Sequence, residues 1–252
     1  MMIITSKNNP IIKETASLKE KKGRKQLGSF LVEGKKMAEE CQRSDLTIER
    51  VFIAESYPEA VSFPQEICVR VSDDVFRCLS DEKTPQGILC RVKIPALPLC
   101  APSGKCLVLD GVADPGNLGT IIRTANAAGY GEIYLTKDCT DAYSPKTVRA
   151  SMSGVFFTKI YEGQREEILS VMEGFPLFVA DMVGENVFSF TPPEAFALVI
   201  GNEANGVSDV MKKRADASIS IPMRSEQESL NAAVAAGIAM YQLAMDQFKK
   251  KN

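Results

Sequence analysis

Five short aliphatic runs alternate with helical stretches over the second half of this 252-residue chain, and this alternation restricts the fold more than any other feature. The runs cover residues 106–109, 132–135, 177–180, 197–200 and 219–221. Gly, Asp or Pro residues bound them, which is typical of strands in a parallel sheet that is buried on both faces. Between the first two runs, residues 118–128 carry apolar side chains at helical spacing, and Gly129 is placed as the C′ residue. The pattern predicts an open α/β domain that binds its ligand at the carboxyl ends of the strands.

A proline-rich stretch separates this domain from an earlier one. Pro95, Pro98 and Pro102 predict a linker over residues 95–104, because proline fixes the backbone and removes a donor. Before it we predict helices over 11–22, 35–43 and 73–78, and strands over 29–32, 48–54, 67–71 and 87–94. After it we predict further helices over 164–173, over 207–214 and from about 229. The chain is therefore expected to hold a smaller N-terminal α/β domain, residues 1–94, and a C-terminal domain, residues 105–252.

The composition excludes several kinds of chemistry. The chain has no histidine, which removes Ser-His-Asp and Cys-His hydrolases, histidine-ligated zinc or haem, and any histidine general base. Its seven cysteines are never spaced C-x-x-C, which argues against a zinc site and favours reduced thiols. The N-terminus lacks a signal-peptide layout, and the most apolar stretch, 230–245, is too short to span a membrane. We expect a cytoplasmic protein without a metal.

Charge is distributed unevenly along the chain. The net charge is −2, yet residues 1–36 hold nine Lys and Arg against three Glu, which leaves −8 on the remainder. A basic N-terminal segment on an acidic protein favours a polyanion partner such as RNA, since phosphate contacts supply affinity for any sequence. A solvated basic helix is the alternative.

Three polar, glycine-containing segments follow predicted strands. The first, residues 110–123, matches neither G-x-G-x-x-G nor the P-loop pattern, so it gives no support for a dinucleotide or P-loop site. Asn117 suits the N-cap of the following helix. Arg123 lies one residue beyond the apolar stripe of that helix. There it is placed to face a cleft or an anion, with an ordinary surface arginine as the alternative.

The second and third segments follow the strands at 197–200 and 219–221. Gly201 permits a close backbone approach to a ligand, and Glu203 is a lone acid in its loop, although a tight turn with a helix cap explains both. In the third segment Ser229 is the predicted N-cap of the terminal helix. The small residues over 232–239 allow another backbone to come very close.

Together, and in this order and spacing, these segments resemble the three signature motifs of the SpoU/TrmH family. They are Asp114-Pro-Gly-Asn-Leu-Gly-Thr-Ile-Ile-Arg-Thr-Ala125, Ile200-Gly-Asn-Glu-Ala-Asn-Gly206, and Ile221-Pro-Met223 with Glu228-Ser-Leu-Asn231. Members of this family are S-adenosylmethionine-dependent RNA ribose 2′-O-methyltransferases within the SPOUT superfamily. The segment Lys146-Thr-Val-Arg-Ala-Ser-Met152 is also similar to one that they carry between the first two motifs.

The N-terminal part is similar to the L30e-like substrate-binding domain of the branch that methylates ribosomal RNA, through Ser6-Lys-Asn-Asn-Pro10 and Gly28-Ser-Phe-Leu-Val-Glu-Gly34. The resemblance implies a deep trefoil knot in a SPOUT-type parallel sheet, S-adenosylmethionine bound in the knot, and a homodimer. It implies that Arg123 is the catalytic arginine. The other functional motif positions fall on Asn117, Glu203, Ser229 and Asn231. The residues that would line the cofactor site, largely through backbone groups, are Gly201, Ile221, Met223 and Leu230.

Two departures from the family pattern are present. Ser225 stands where many members have glycine, and Ala232-Ala233 replaces a frequent Val-Ser. We expect both to adjust loop packing without abolishing cofactor binding.

The proton is the difficult part of the implied reaction. A ribose 2′-oxygen must lose its proton as it attacks a methyl group on a sulfonium, and an arginine with a pKa above about 12 is a poor base. We expect Arg123 to fix the target nucleotide through phosphate or the 2′-oxygen and to lower the pKa of the hydroxyl. Direct deprotonation by a neutral Arg123 ranks second.

Alternative functions remain open from the sequence. Within the enzyme class, the expected substrate is ribosomal RNA, most specifically 23S RNA, and transfer RNA is the alternative. A non-catalytic RNA-binding protein that keeps the fold is a second alternative, although Arg123, Glu203 and Asn231 are all present. A nucleotide-binding oxidoreductase lacks its glycine fingerprint.

Overall fold

The computed structural model describes residues 3–224 and 229–245. Ser225, one of the departures from the family pattern, lies outside the described residues. The chain divides into two compact units. The N-terminal unit comprises Met1–Ala96 and Asp141–Phe156, and the C-terminal unit comprises Leu97–Thr140 and Phe157–Asn252.

Strands and helices alternate along both units. The strands are β1 (Ser29–Glu33), β2 (Ile48–Ala54), β3 (Cys68–Val71), β4 (Ile88–Lys93), β5 (Cys106–Asp110), β6 (Glu132–Thr136), β7 (Lys159–Gly163), β8 (Leu177–Asn186), β9 (Ala197–Gly201) and β10 (Ala217–Ser220). The helices are α1 (Pro10–Ser17), α2 (Lys21–Leu27), α3 (Lys35–Gln42), α4 (Asp73–Leu79), α5 (Pro115–Ala127), α6 (Pro145–Ser151), α7 (Gly154–Phe157), α8 (Arg165–Val171), α9 (Asp209–Arg214) and α10 (Ala232–Leu243).

The N-terminal unit is built on a mixed sheet with the strand order β1-β4-β2-β3. Strand β4 is antiparallel to β1 and β2, whereas β2 and β3 are parallel. Phe30, Val51 and Phe52 are fully buried and form part of its core. Apart from the first predicted helix and from α6 and α7, which were not predicted, the strands and helices lie close to the predicted positions. This unit therefore has the α/β architecture that the sequence indicates.

The prediction of one helix over residues 11–22 is wrong, because the chain breaks there into α1 and α2. Arg24 is buried and donates to the carbonyl oxygens of Leu18 at 2.7 Å and Lys19 at 2.8 Å. It also forms an ion pair with Asp141 at 2.7 Å. The guanidinium thus satisfies carbonyls that the end of α1 leaves open, and a side chain at Gly23 would meet the Ser17 carbonyl oxygen at 2.1 Å.

The strands of the described C-terminal unit form a parallel sheet in the order β10-β8-β9-β5-β6-β7, which confirms the predicted parallel sheet. The edge strand β7 was not predicted, because its sequence KIYEG mixes charged and apolar residues and lacks an aliphatic run. Strand order reverses between the neighbours β5 and β9, and their carboxyl ends therefore border a crevice. Asp110 and Gly201 lie opposite each other at this edge.

The helix starts that frame the crevice differ from the predictions by a few residues. Asp114, not Asn117, is the N-cap of α5, and its carboxylate accepts a hydrogen bond from the backbone N–H of Asn117 at 2.8 Å. Pro115 at the first helical position fixes that start. Asn231, not Ser229, is the N-cap of α10 and accepts from the amides of Ala233 and Val234.

Candidate functional site

Two loops meet at the carboxyl edge of the C-terminal sheet. The loop after β5 and the loop after β9 are joined by Asn202, whose side-chain amide donates to the Gly111 carbonyl at 2.8 Å. Glu203 closes the same junction, since its carboxylate accepts from the backbone amides of Ala113 at 3.0 Å and Asp114 at 3.1 Å. These hydrogen bonds hold the first two predicted motifs side by side.

Hydrogen bonds between side chains connect the third motif to the first two. The Asn117 Nδ2 donates to Glu203 Oε1 at 2.9 Å, and its Oδ1 accepts from Asn231 Nδ2 at 2.9 Å. Asn231 in turn caps α10 through its Oδ1. Three of the predicted functional residues, which are far apart in sequence, thus form one polar network, which we call the Asn117–Glu203–Asn231 network.

The electrostatics of Glu203 fit a structural anion. Partial burial raises its pKa, but the hydrogen bonds from Asn117 and the backbone amides together outweigh this effect and lower the pKa below the usual value. A carboxylate that is held ionised by three donors is a weak proton acceptor. Glu203 therefore orders the two loops, and it is poorly suited to act as a general base.

A cavity of about 830 Å³ lies beside this network. Its walls include all four residues predicted to bind the cofactor: Gly201, Ile221, Met223 and Leu230. Glu203 and Ser229 also line it. Val187, Ile200 and Ile219 add apolar surface, so the cavity offers both apolar walls and backbone groups at the carboxyl ends of the strands.

The turn at Gly201 leaves no room for a larger residue. A side chain there would meet the backbone of Gly206 at 2.2 Å and of Val207 at 2.3 Å. The backbone amide and carbonyl of Asn202 pair with those of Gly206, at 3.0 and 2.9 Å. Glycine at this position lets the loop fold back tightly, so that backbone groups and not side chains form this wall. The small and apolar lining suits an adenosine-like group, which agrees with S-adenosylmethionine.

Arg123 is placed differently from the other predicted catalytic residues. Its side chain is exposed, and it makes no hydrogen bond or ion pair within residues 3–224 and 229–245. It follows Asn117 on α5 by six residues, about 9 Å along the helix axis. The network of Asn117, Glu203 and Asn231 therefore does not include Arg123, and its guanidinium is open to an anion.

An ionic network that was not predicted from the sequence lies beneath the two loops. Asp110, 1% exposed, accepts from Arg165 Nε at 2.6 Å and from the Ser208 amide at 2.7 Å. Arg165 Nη2 also contacts Asp138 at 2.6 Å, and this bond, more than the charge of Asp110, raises the pKa of the arginine. A carboxylate at the end of a buried central strand was the available signal for this network.

A second missed pair lies within the cavity wall. Asp181 on β8 and Lys212 on α9 both line the cavity, and their Oδ2 and Nζ atoms are 2.6 Å apart. Partial burial raises the pKa of Asp181, but the bond from Lys212 and the adjacent backbone amides lower it below the usual value. Neither residue belongs to a predicted motif, so pattern alone gave no reason to select them.

Within residues 3–224 and 229–245, no group of three or more His, Cys, Asp and Glu side chains is arranged to hold a metal ion. None of the described helices has the length and apolar character needed to cross a membrane.

Comparison with known proteins matches both parts of the chain. Residues 104–241 match the SpoU rRNA Methylase family, and residues 9–90 match the MRM3-like substrate binding domain. The 23S rRNA (guanosine(2553)-2′-O)-methyltransferase RlmP of Bacillus subtilis is 31% identical over 251 residues, which covers 96% of this chain and 99% of that protein.

Solved structures agree with this match. An AdoMet-bound rRNA methyltransferase from Sinorhizobium meliloti superimposes with a TM-score of 0.86 at 27% identity, covering 97% of this chain and 98% of that one. The SpoU methyltransferase AviRb from Streptomyces viridochromogenes, in complex with AdoMet, has the same fold, with a TM-score of 0.84 at 24% identity over 96% of this chain and 99% of that one.

Proposed function

This chain belongs to the SpoU rRNA methylase family, as its motifs suggested, and we propose that it methylates a ribose 2′-hydroxyl of ribosomal RNA with S-adenosylmethionine. The observation that carries the proposal is the Asn117–Glu203–Asn231 network beside the 830 Å³ cavity. It brings three motifs together at the crevice where a parallel α/β sheet binds its ligands.

Four residues would hold the cofactor. Gly201, Ile221, Met223 and Leu230 line the cavity, and the tight turn at Gly201 presents backbone groups to it. Bound S-adenosylmethionine supplies a methyl group activated by a sulfonium. Ser229 lines the same cavity and would orient the loop ahead of α10. Asn117, Glu203 and Asn231 would hold the surrounding loops in a fixed arrangement, which reduces the entropy lost on ordering the reactants.

Arg123 would act on the RNA. Its exposed guanidinium carries a permanent charge and planar donors that match a phosphate or an oxyanion. Held near the target nucleotide, it would lower the pKa of the 2′-hydroxyl and stabilise the developing negative charge. This role needs no proton transfer to or from the guanidinium.

The N-terminal unit would bind the RNA. It carries the exposed lysines Lys21, Lys22 and Lys25 on α2, and its residues 9–90 match a substrate-binding domain. The Bacillus relative, similar over nearly the whole chain, is named for 23S rRNA, which favours 23S ribosomal RNA over transfer RNA.

The assembly and the finer architecture complete the proposal. We propose a cytoplasmic homodimer, supported by the exposed apolar residues Val234 and Tyr241 on α10 and Met245 just after it. We also propose a deep trefoil knot in the C-terminal domain. As evolutionary domains we propose the division that the sequence indicates, with residues 1–94, a linker over 95–104, and residues 105–252, although the segment Asp141–Phe156 packs with the N-terminal unit.

The test is transfer of a labelled methyl group from S-adenosylmethionine to total RNA of a strain that lacks this gene. We expect label in a 2′-O-methylnucleoside of large ribosomal RNA, and loss of that label with Arg123→Ala but not with Arg43→Ala. Label in transfer RNA would keep the chemistry and overturn the substrate. If neither RNA nor ribosomal particles take up label and the cofactor does not bind, the chain is a non-catalytic RNA-binding protein.

A further inference from the structure

The cavity wall holds an acid that the family motifs do not include. Among the described residues that line the cavity, Asp181, Glu203 and Lys212 carry charge. The carboxylate of Glu203 is occupied by three donors in the loop junction. Asp181, with its side chain 27% exposed and outside the predicted motifs, is a second lining carboxylate that a ligand can reach.

The strand order places Asp181 away from the Asn117–Glu203–Asn231 network. Strand β8 pairs with β9 as far as Val179, and Asp181 lies two residues further along β8, beyond the end of that pairing. Because β8 is two strands from β5, this position is about 10 Å from the β5 edge. An elongated ligand whose reacting atom lies near Asn117 would thus place another part against Asp181, beside Ala180, Val187 and Ile219.

The bonds that Asp181 already makes define what it can accept. Its Oδ2 contacts Lys212 Nζ at 2.6 Å, and its Oδ1 accepts from the Met182 amide at 2.7 Å. A carboxylate oxygen accepts two hydrogen bonds, so each oxygen keeps one free position. Lys212 neutralises the charge of Asp181 and would repel a second cation, which disfavours an ammonium or sulfonium here and favours uncharged hydroxyl donors.

We propose that Asp181 is a specificity-determining residue that accepts hydrogen bonds from the ribose hydroxyls of S-adenosylmethionine, and that Lys212 is a positioning residue for its carboxylate. The inference rests on the proposed function, since it assigns a part of the same cofactor to this side of the cavity. The apolar neighbours of Asp181 suit the nucleoside half of the ligand, whereas the charged amino-acid half finds no uncompensated charge at Asp181.

The test is a set of binding measurements in which the carboxylate of Asp181, a ribose hydroxyl of the ligand, or both are removed. Calorimetry on the full chain gives the Kd of S-adenosylhomocysteine and of its 3′-deoxy and 2′-deoxy counterparts, for wild type and for Asp181→Asn. In wild type we expect removal of at least one hydroxyl to weaken binding about tenfold or more, as for a hydrogen bond to a charged group. In Asp181→Asn the same removal should change the Kd less than threefold, because contacting groups are not additive. Asp209→Asn, an exposed acid on α9, is the matched control.

Each result decides the proposal. Equal losses on removing a hydroxyl in wild type and in Asp181→Asn would overturn it, as would an unchanged Kd for S-adenosylhomocysteine in Asp181→Asn. Lys212→Met should weaken binding less than Asp181→Asn and keep the sensitivity to the hydroxyl, whereas Lys213→Met should match wild type. Failure of wild type to bind any of the three ligands would instead overturn the proposed function, and this inference with it.

Discussion

Asn117 uses both ends of its side-chain amide in the site. Its nitrogen donates to Glu203 and its oxygen accepts from Asn231, so neither an aspartate nor a leucine of similar size can replace it. From the residues alone Asn117 was expected to cap the helix, a role that Asp114 fills, and the family resemblance placed Asn117, Glu203 and Asn231 at functional positions. A cap is a local feature of the sequence, whereas the partner of an amide 86 residues away depends on the packing of the sheet.

The lowered pKa of Glu203 predicts a stability that depends on pH. Because the pKa is lower in the folded chain, the ionised carboxylate stabilises the fold above the usual value of 4.5, and this contribution is lost as pH falls through the lowered pKa. We expect Glu203→Gln to reduce the free energy of unfolding at pH 7, and the difference from wild type to shrink below pH 4.5. Urea unfolding at several pH values measures it. Glu194→Gln, at an exposed position, should show no such difference, and a difference that persists at low pH would contradict the assignment.

Arg123 leads to a kinetic prediction at the same scale. Arg123→Lys keeps the charge but loses the planar fork, so we expect kcat/KM for RNA to fall about tenfold or more while the Kd of S-adenosylmethionine stays unchanged. Methyl-transfer kinetics and calorimetry measure the two quantities, and Arg50→Lys is the control at another exposed arginine. Full activity with an unchanged pH profile would rule out any role for the guanidinium geometry.

At the scale of elements, the strands and the helix end that depend on local periodicity were predicted from the sequence. The aliphatic runs became β5, β6, β8, β9 and β10, and Gly129 follows α5 with a positive φ of 78°. The break between α1 and α2 was not predictable, because it depends on a buried Arg24 that binds carbonyls and pairs with Asp141, 117 residues away. Strand β7 was missed since an edge strand needs fewer apolar residues than a central one.

The ionic network under the two loops is a property of several elements together. Arg165 at the start of α8 neutralises Asp110 at the end of β5, and Asp110 in turn holds the Ser208 amide after β9. Arg165→Met would leave a nearly buried carboxylate without its cation, and we expect a loss of about 3 kcal/mol in the free energy of unfolding.

Urea unfolding measures that loss, and Lys213→Met provides the control for removing an exposed cation. The companion variant Arg165→Met with Asp110→Asn should recover part of the stability, because the uncompensated charge is gone. A double variant no more stable than Arg165→Met would contradict the pairing.

At the scale of the whole molecule, folding removes one cation of the basic N-terminal segment from the surface. Arg24 belongs to the basic N-terminal segment, but it is buried and paired with Asp141, so it is unavailable to a polyanion. Lys21, Lys22 and Lys25 on the same helix are exposed. A count of charges in the sequence therefore overestimates the basic surface, and the structure identifies which cations an RNA can reach.

These exposed lysines predict how RNA binding depends on salt. Each phosphate contact releases counterions, so the logarithm of the binding constant falls with the logarithm of salt concentration by about 0.7–0.9 per contact. Replacing Lys21 and Lys22 by Gln should weaken binding to 23S ribosomal RNA fragments and reduce this slope by about 1.5 if both contact phosphate.

Filter binding across a range of salt concentrations measures the slope, and Lys159→Gln with Lys213→Gln is the control at two exposed lysines of the C-terminal unit. Arg24→Gln distinguishes a loss of RNA contacts from a loss of stability. This variant should have a lower thermal stability, whereas its folded form should bind RNA with a salt slope close to that of wild type. An equal slope in wild type and in the Lys21–Lys22 variant would show that α2 does not contact RNA, and the partner of the basic segment would then have to be sought among other polyanions.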